Sequence, residues 1–115
     1  RENPEEPIAL MTWGGSKGST RDAYNQMMAQ GQRIGWYYTM QLNPLPPKLL
    51  QELKQKELVL IPELNYLGQL SSLLRAKGVK AESITQYTGT PFKVSDLKAE
   101  ITDRMQAQKK DLVQV

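Results

Sequence analysis

Ile61-Pro62-Glu63-Leu64-Asn65-Tyr66-Leu67-Gly68-Gln69-Leu70, followed by an apolar and basic run from Ser71 to Lys77, decides the class of fold. Residues 58–61 form a short apolar run that reads as a strand and stops at a proline. A turn containing Asn65 follows, and a helix opens in which Leu67, Leu70 and Leu74 fall on one face. The spacing predicts that helix over 64–76, ended by Gly78. A strand that stops at a polar turn and feeds a helix N-terminus is where α/β proteins present backbone N–H groups to a partner or ligand.

The same alternation extends in both directions. Residues 8–12 are continuously apolar but for Thr12, the pattern of a strand covered on both faces. A Gly-rich loop, 13–18, leads to a helix expected to be capped by Ser19 or Thr20 and to run to about Gln30. Asp22 is expected in its first turn, and Gly31 at its C-terminus. Residues 34–40 read as a second strand, with Trp36 and Tyr38 on one face and Tyr37 on the other. Pro44, Pro46 and Pro47 break the chain. A second helix then buries Leu49, Leu50 and Leu53, with Pro47 in its first turn. Residues 83–87 form a fourth, more polar strand suited to a sheet edge. Ser95 is expected to cap a last helix whose Leu97, Ile101 and Met105 recur at spacing four. That stripe breaks at Gln108.

Strand and helix in this order imply parallel strands joined by right-handed crossovers. The expected architecture is a three-layer, Rossmann-like α/β sandwich around a four-stranded, mainly parallel sheet of order 2-1-3-4. The 115 residues make one domain, 1–115, with its core over 8–105. The tail, 106–115, either frays or docks on another chain. Because the chain opens at Arg1 without a Met, it reads as a piece of something longer.

Composition limits the chemistry. The chain has no Cys, so thiolate metal sites, disulfides and a Cys-held iron–sulfur cluster are excluded. It also has no His, which removes the commonest general base and metal ligand. No apolar run approaches the roughly 20 residues of a membrane helix, and no signal-peptide pattern opens the chain. The net charge of +3 is spread among mixed signs, with Lys54 and Lys56 beside Glu52 and Glu57. That pattern reads as a solvated surface and argues against a nucleic-acid interface.

In a 2-1-3-4 sheet the crevice at the switch point lies between the C-terminal ends of the first and third strands. Two segments are expected to converge there. One is the loop Gly14, Gly15, Ser16, Lys17 and Gly18; the other is the turn that carries Glu63 and Asn65. The loop could hold an anion through backbone N–H groups, or its glycines could only permit a tight turn. It lacks both the Walker and the dinucleotide-binding spacing. Glu63 could act as a base, but no His, Cys or second carboxylate accompanies it, so capping or domain contact is the expected role for Glu63 and Asn65. No residue is expected to be catalytic or to bind a metal.

Four motifs carry a resemblance. They are Trp13-Gly14-Gly15-Ser16-Lys17-Gly18, Leu42-Asn43-Pro44-Leu45-Pro46, the string PELNYLGQLSSLLRAKG at 62–78, and Tyr87-Thr88-Gly89-Thr90-Pro91-Phe92. In this order they resemble the α subunit of 2-oxoacid:ferredoxin oxidoreductases, in its transketolase-type C-terminal domain, and look closest to the 2-oxoglutarate-type members. The resemblance implies a 2-1-3-4 sheet with an added antiparallel edge strand, expected upstream of Arg1. It implies a cytoplasmic enzyme that oxidatively decarboxylates a 2-oxoacid to an acyl-CoA and reduces ferredoxin. Thiamine diphosphate, Mg2+, an iron–sulfur cluster and coenzyme A would serve the whole enzyme, none of them held by this domain. The implied partners are the other α-subunit domains, the β subunit and ferredoxin, with no nucleic acid or membrane. This domain's task would be assembly; the alternative is a phosphate- or coenzyme A-binding module that uses the Gly14 to Gly18 loop. One departure stands out: Thr39-Met40-Gln41 replaces a basic residue that many relatives carry before the proline element.

Overall fold

The computed structural model describes residues 1–13, 17–40, 45–63, 69–85 and 93–113. Strands β1 (Ile8–Trp13), β2 (Gly35–Thr39), β3 (Leu58–Glu63) and β4 (Ala81–Thr85) alternate with helices α1 (Lys17–Ala29), α2 (Pro47–Lys54), α3 (Gln69–Ala76) and α4 (Val94–Val113). The four strands make one parallel sheet in the order β2-β1-β3-β4, as the alternation predicts.

Side-chain parity divides the core into two layers. On one face Ile8, Leu10, Trp36, Leu58, Leu60 and Ile84 pack against Ala23, Tyr24 and Met27 of α1 and Leu97, Ile101 and Met105 of α4. On the other, Ala9, Met11, Tyr37, Val59 and Ile61 meet Leu53 of α2 and Leu70 and Leu74 of α3. Trp36 and Tyr37 therefore lie on opposite faces, and Tyr38 packs on the Trp36 side, as expected. Leu49 and Leu50 are only half-buried; Leu53 carries the burial of α2.

Several boundaries differ from the sequence reading. Helix α1 opens at Lys17, so Ser19 and Thr20 lie inside it instead of capping it, and its first turn holds no acidic residue. Gly18 takes ordinary helical backbone, which lets the helix start early, and Thr20 then falls on the buried face. Strand β3 continues through Pro62 to Glu63. The Val59 N–H donates across to Lys80 O of the β4 side, so by alternation the missing N–H of Pro62 faces β1, where pairing has already stopped at Leu10 and Leu60. Strand β4 starts at Ala81, two residues before the expected start, and α4 begins at Val94, with Ser95 already in its first turn. Of the helix expected over 64–76, only 69–76 is described.

Two helix ends agree closely with the glycine reading. Gly31 at φ 80° donates to Met28 O while Gln32 donates to Met27 O. Gly78 at φ 93° donates to Arg75 O while Val79 donates to Leu74 O. Both are Schellman closures, and buried Val79 and Leu74 share a core cluster beside the second.

At the outer edge of β2 the chain also departs from expectation. Glu2 pairs antiparallel with Trp36, each donating its N–H to the other's carbonyl at 2.9 and 2.8 Å. Antiparallel pairing at the edge thus comes, for one bridge, from within this chain.

Candidate functional site

Strands β1 and β3 pair only from Ile8↔Leu58 to Leu10↔Leu60. Beyond that point each stays with its outer neighbour, β1 with β2 as far as Trp13↔Thr39 and β3 with β4 as far as Glu63↔Thr85. The two central strands therefore part at their C-terminal ends, which forms the switch-point crevice of a doubly wound sheet. Thr12, Trp13, Pro62 and Glu63 stand at its margins, and α1 and α3 start beside it.

Glu63 is the most informative side chain there. It is 4% exposed, on the face covered by α3. Its Oε1 accepts the Leu70 N–H at 2.7 Å, and its Oε2 accepts the Ser83 hydroxyl at 3.0 Å. One carboxylate thus ties β3 to the first turn of α3 and to β4. An anion suits a helix N-terminus, where backbone N–H groups lack intrahelical partners. Both oxygens serve structure, which matches the capping role expected of Glu63 and leaves it poorly placed as a base. Its bond to Ser83 had no signature in the sequence, because 20 residues separate the two.

Thr12 is fully buried, and its Oγ1 has no hydrogen-bond partner among the described residues. A hydroxyl ending an otherwise apolar strand was the only sequence signal for it. Of the candidate anion loop, Gly14, Gly15 and Ser16 lie outside the described residues, as does Asn65. Lys17 and Gly18 are the first two residues of α1. Gly18 has no positive φ, and a Cβ there would meet nothing within 4 Å, so neither its backbone nor its surroundings require glycine. Met40, just past β2, is 83% exposed; a thioether there cannot bind an anion by charge. Among the described residues no group of His, Cys, Asp or Glu could hold a metal ion, and no helix is long and apolar enough to cross a membrane.

The opposite end of the sheet carries a cleft of about 710 Å³, bordered by Glu57, Arg75, Lys80, Glu82 and Gln108. Its charges are already engaged in part. Arg75 donates to Ala81 O at 3.0 Å, and Glu82 pairs with Arg104 at 2.8 Å.

Sheet order, crossovers and the split between β1 and β3 define a doubly wound, Rossmann-like α/β domain. No family model matches the chain. Over 91 residues, 78% of this chain, it is 33% identical to the 2-oxoglutarate oxidoreductase subunit KorA of Mycobacterium tuberculosis. It is 34% identical over 76% of its length to the α subunit of 2-oxoacid:ferredoxin oxidoreductase 2 of Aeropyrum pernix. It is 27% identical over 84% of its length to the α subunit of the enzyme from Saccharolobus solfataricus. A solved 2-oxoglutarate:ferredoxin oxidoreductase from Magnetococcus marinus, with 2-oxoglutarate, coenzyme A and succinyl-CoA bound, superposes with a TM-score of 0.77 over 85% of this chain at 27% identity. The chain is a homologue of a domain-sized stretch of 2-oxoacid:ferredoxin oxidoreductase α subunits. It spans 14–16% of the length of these curated relatives and 18% of the solved chain.

Proposed function

We propose that this chain is an assembly domain of a thiamine diphosphate-dependent 2-oxoacid:ferredoxin oxidoreductase with 2-oxoglutarate as its substrate. The observation that carries this reading is the identity to α subunits along more than three quarters of the chain. The whole enzyme would decarboxylate the 2-oxoacid, pass the acyl group to coenzyme A and send the electrons to ferredoxin in the cytoplasm. The chain's own residues fit a supporting part in that reaction. With no Cys or His in the sequence it offers no thiolate for an iron–sulfur cluster and no imidazole for proton transfer. Its buried carboxylate, Glu63, is occupied by Leu70 and Ser83. The resemblance to the family places thiamine diphosphate, Mg2+ and the cluster in other domains, and in this reading the present one packs between them and the β subunit in the manner of a transketolase C-terminal domain.

The purified chain should show no turnover of 2-oxoglutarate with coenzyme A, thiamine diphosphate, Mg2+ and ferredoxin supplied. Turnover by the chain alone would end the reading. Titration calorimetry with coenzyme A distinguishes the alternative. A saturable heat, lost when Lys17 is replaced, would favour a phosphate-binding module built on the Gly14 to Gly18 loop.

A further inference from the structure

Buried polar side chains gather at one end of the sheet. Thr12, Thr39 and Glu63 stand at the C-terminal ends of β1, β2 and β3, and Thr20 and Ser71 lie in the first turns of α1 and α3. Among the described residues only Lys56 is a buried polar side chain elsewhere. A buried hydroxyl costs free energy unless it is hydrogen-bonded. Of the five, Thr12 is fully buried and its Oγ1 has no partner among the described residues. An orphan of this kind in a crevice marks a place where a further acceptor belongs.

Parity and direction put this hydroxyl under the start of α1. Thr12 shares a face of β1 with Ile8 and Leu10, which pack against Ala23, Tyr24 and Met27 of α1. The helix returns antiparallel to the strand. Two residues further along β1, about 6.6 Å, therefore correspond to about one turn earlier in α1, about 6 Å. The turn so reached is that of Gly18, Ser19 and Thr20, the first of the helix. A Cβ at Gly18 would meet nothing within 4 Å, which leaves space at the helix end.

The start of α3 shows what such an end accepts. There the Glu63 carboxylate, supplied by β3, takes the Leu70 N–H at 2.7 Å. The offset that pairs Ile8 with Leu58 makes Trp13 the counterpart of Glu63 on β1, and the first turn of α1 holds no acidic residue. The start of α1 thus receives no carboxylate from its own strand or its own turn, although a helix N-terminus favours an anion. We propose that this end of α1 is a site for a small oxyanion of the phosphate class, held by first-turn N–H groups, with the Thr12 hydroxyl as a further donor. The site goes beyond the assembly role above and does not depend on it.

Hydrogen exchange read by mass spectrometry on the intact subunit tests this, with inorganic phosphate as the probe and chloride at equal ionic strength as the control. At phosphate about ten times its dissociation constant, the amides of 18–20 should exchange about tenfold more slowly, since opening must first release the ion. The start of α3, already served by Glu63, should keep its rate. Thr12→Val should lose most of the phosphate effect yet match the parent in chloride, because the hydroxyl it removes has no partner there. Thr12→Ser, which keeps the hydroxyl, should restore the effect. Coenzyme A in place of phosphate separates the sources: slowing extends the site to phosphate esters, and its absence confines the site to the free ion. Equal rates in phosphate and chloride, equal slowing at the start of α3, or slowing that persists in Thr12→Val would overturn the proposal. The phosphate and chloride comparison on the parent needs no variant and decides the matter should Thr12→Val not fold.

Discussion

The Glu63 carboxylate and the Leu70 N–H, 2.7 Å apart, join the end of β3 to the start of α3 across residues outside the described structure. Ser83 on β4 completes the arrangement at 3.0 Å. Glu63→Gln keeps one acceptor, and the Ser83 hydroxyl can turn to receive the new N–H, but the charge facing the helix N-terminus is lost. We expect a loss of about 0.5–1.5 kcal/mol for that change. Glu63→Ala, which leaves the buried Leu70 N–H without an acceptor, should lose about 2–4 kcal/mol. Chemical denaturation of the chain checks both. A Gln variant as stable as the parent would mean that the charge contributes nothing.

Glycines at helix starts and helix ends should respond with opposite sign. Gly18 lies in the first turn of α1 with open space around it and no positive φ. Gly18→Ala should therefore stabilise by up to about 1 kcal/mol. Gly31 and Gly78 sit at φ 80° and 93°, so Ala at either should destabilise by about 1–2 kcal/mol. Thermal midpoints of the three variants are a direct reading, and a destabilised Gly18→Ala would show that this position requires glycine after all.

What could be read in the sequence follows from how local each signal is. Sheet order, the opposed faces of Trp36 and Tyr37, the Leu97, Ile101 and Met105 stripe and the Gly31 and Gly78 closures all depend on periods of two or four residues, or on single glycines. Contacts between distant residues left no such trace. Lys56 sits in a mixed charged run and reads as a surface residue, but it is buried because Pro4 and Glu6, about 50 residues earlier in the chain, bring it acceptors. The early start of α1 was missed because Ser19 and Thr20 are good caps on composition, whereas packing against the sheet draws Thr20 inside. Of the candidate anion loop, the structure describes only Lys17 and Gly18, which lie in α1.

Burial pushes the Lys56 ammonium below the usual lysine range, against the pull of Glu52, Glu5 and Glu6. The folded chain then releases this proton before the unfolded chain does. Through the window between the lowered value and about 10.4, the unfolded state binds more protons and stability rises with pH. Tyr24 and Tyr37 act in the opposite sense above about pH 10, because burial raises both and the unfolded chain ionises first. Comparison with Lys56→Met isolates the lysine. The parent should gain stability relative to the variant as the pH rises towards about 10.4, the value of the unfolded lysine. A difference in melting temperature that stays constant over that span would contradict the assignment.

The C-terminal end of α4 is expected to serve assembly. The helix has 20 residues and is about 30 Å long, whereas the strands it crosses have five or six residues and span about 20 Å. Among the residues whose burial is described, the last buried apolar one is Met105, after which Gln106 and Ala107 are exposed and Gln108 borders the 710 Å³ cleft. Helix backbone continues to Val113. Leu112, Val113 and Val115 are apolar in a sequence whose stripe of Leu97, Ile101 and Met105 has already broken at Gln108. We therefore expect 106–115 to dock on the β subunit. Truncation after Met105 should leave the melting temperature of this chain almost unchanged and weaken its recovery with the β subunit in a co-purification. A large loss of chain stability with assembly intact would show instead that the tail folds back on its own sheet, through the cleft that Gln108 borders.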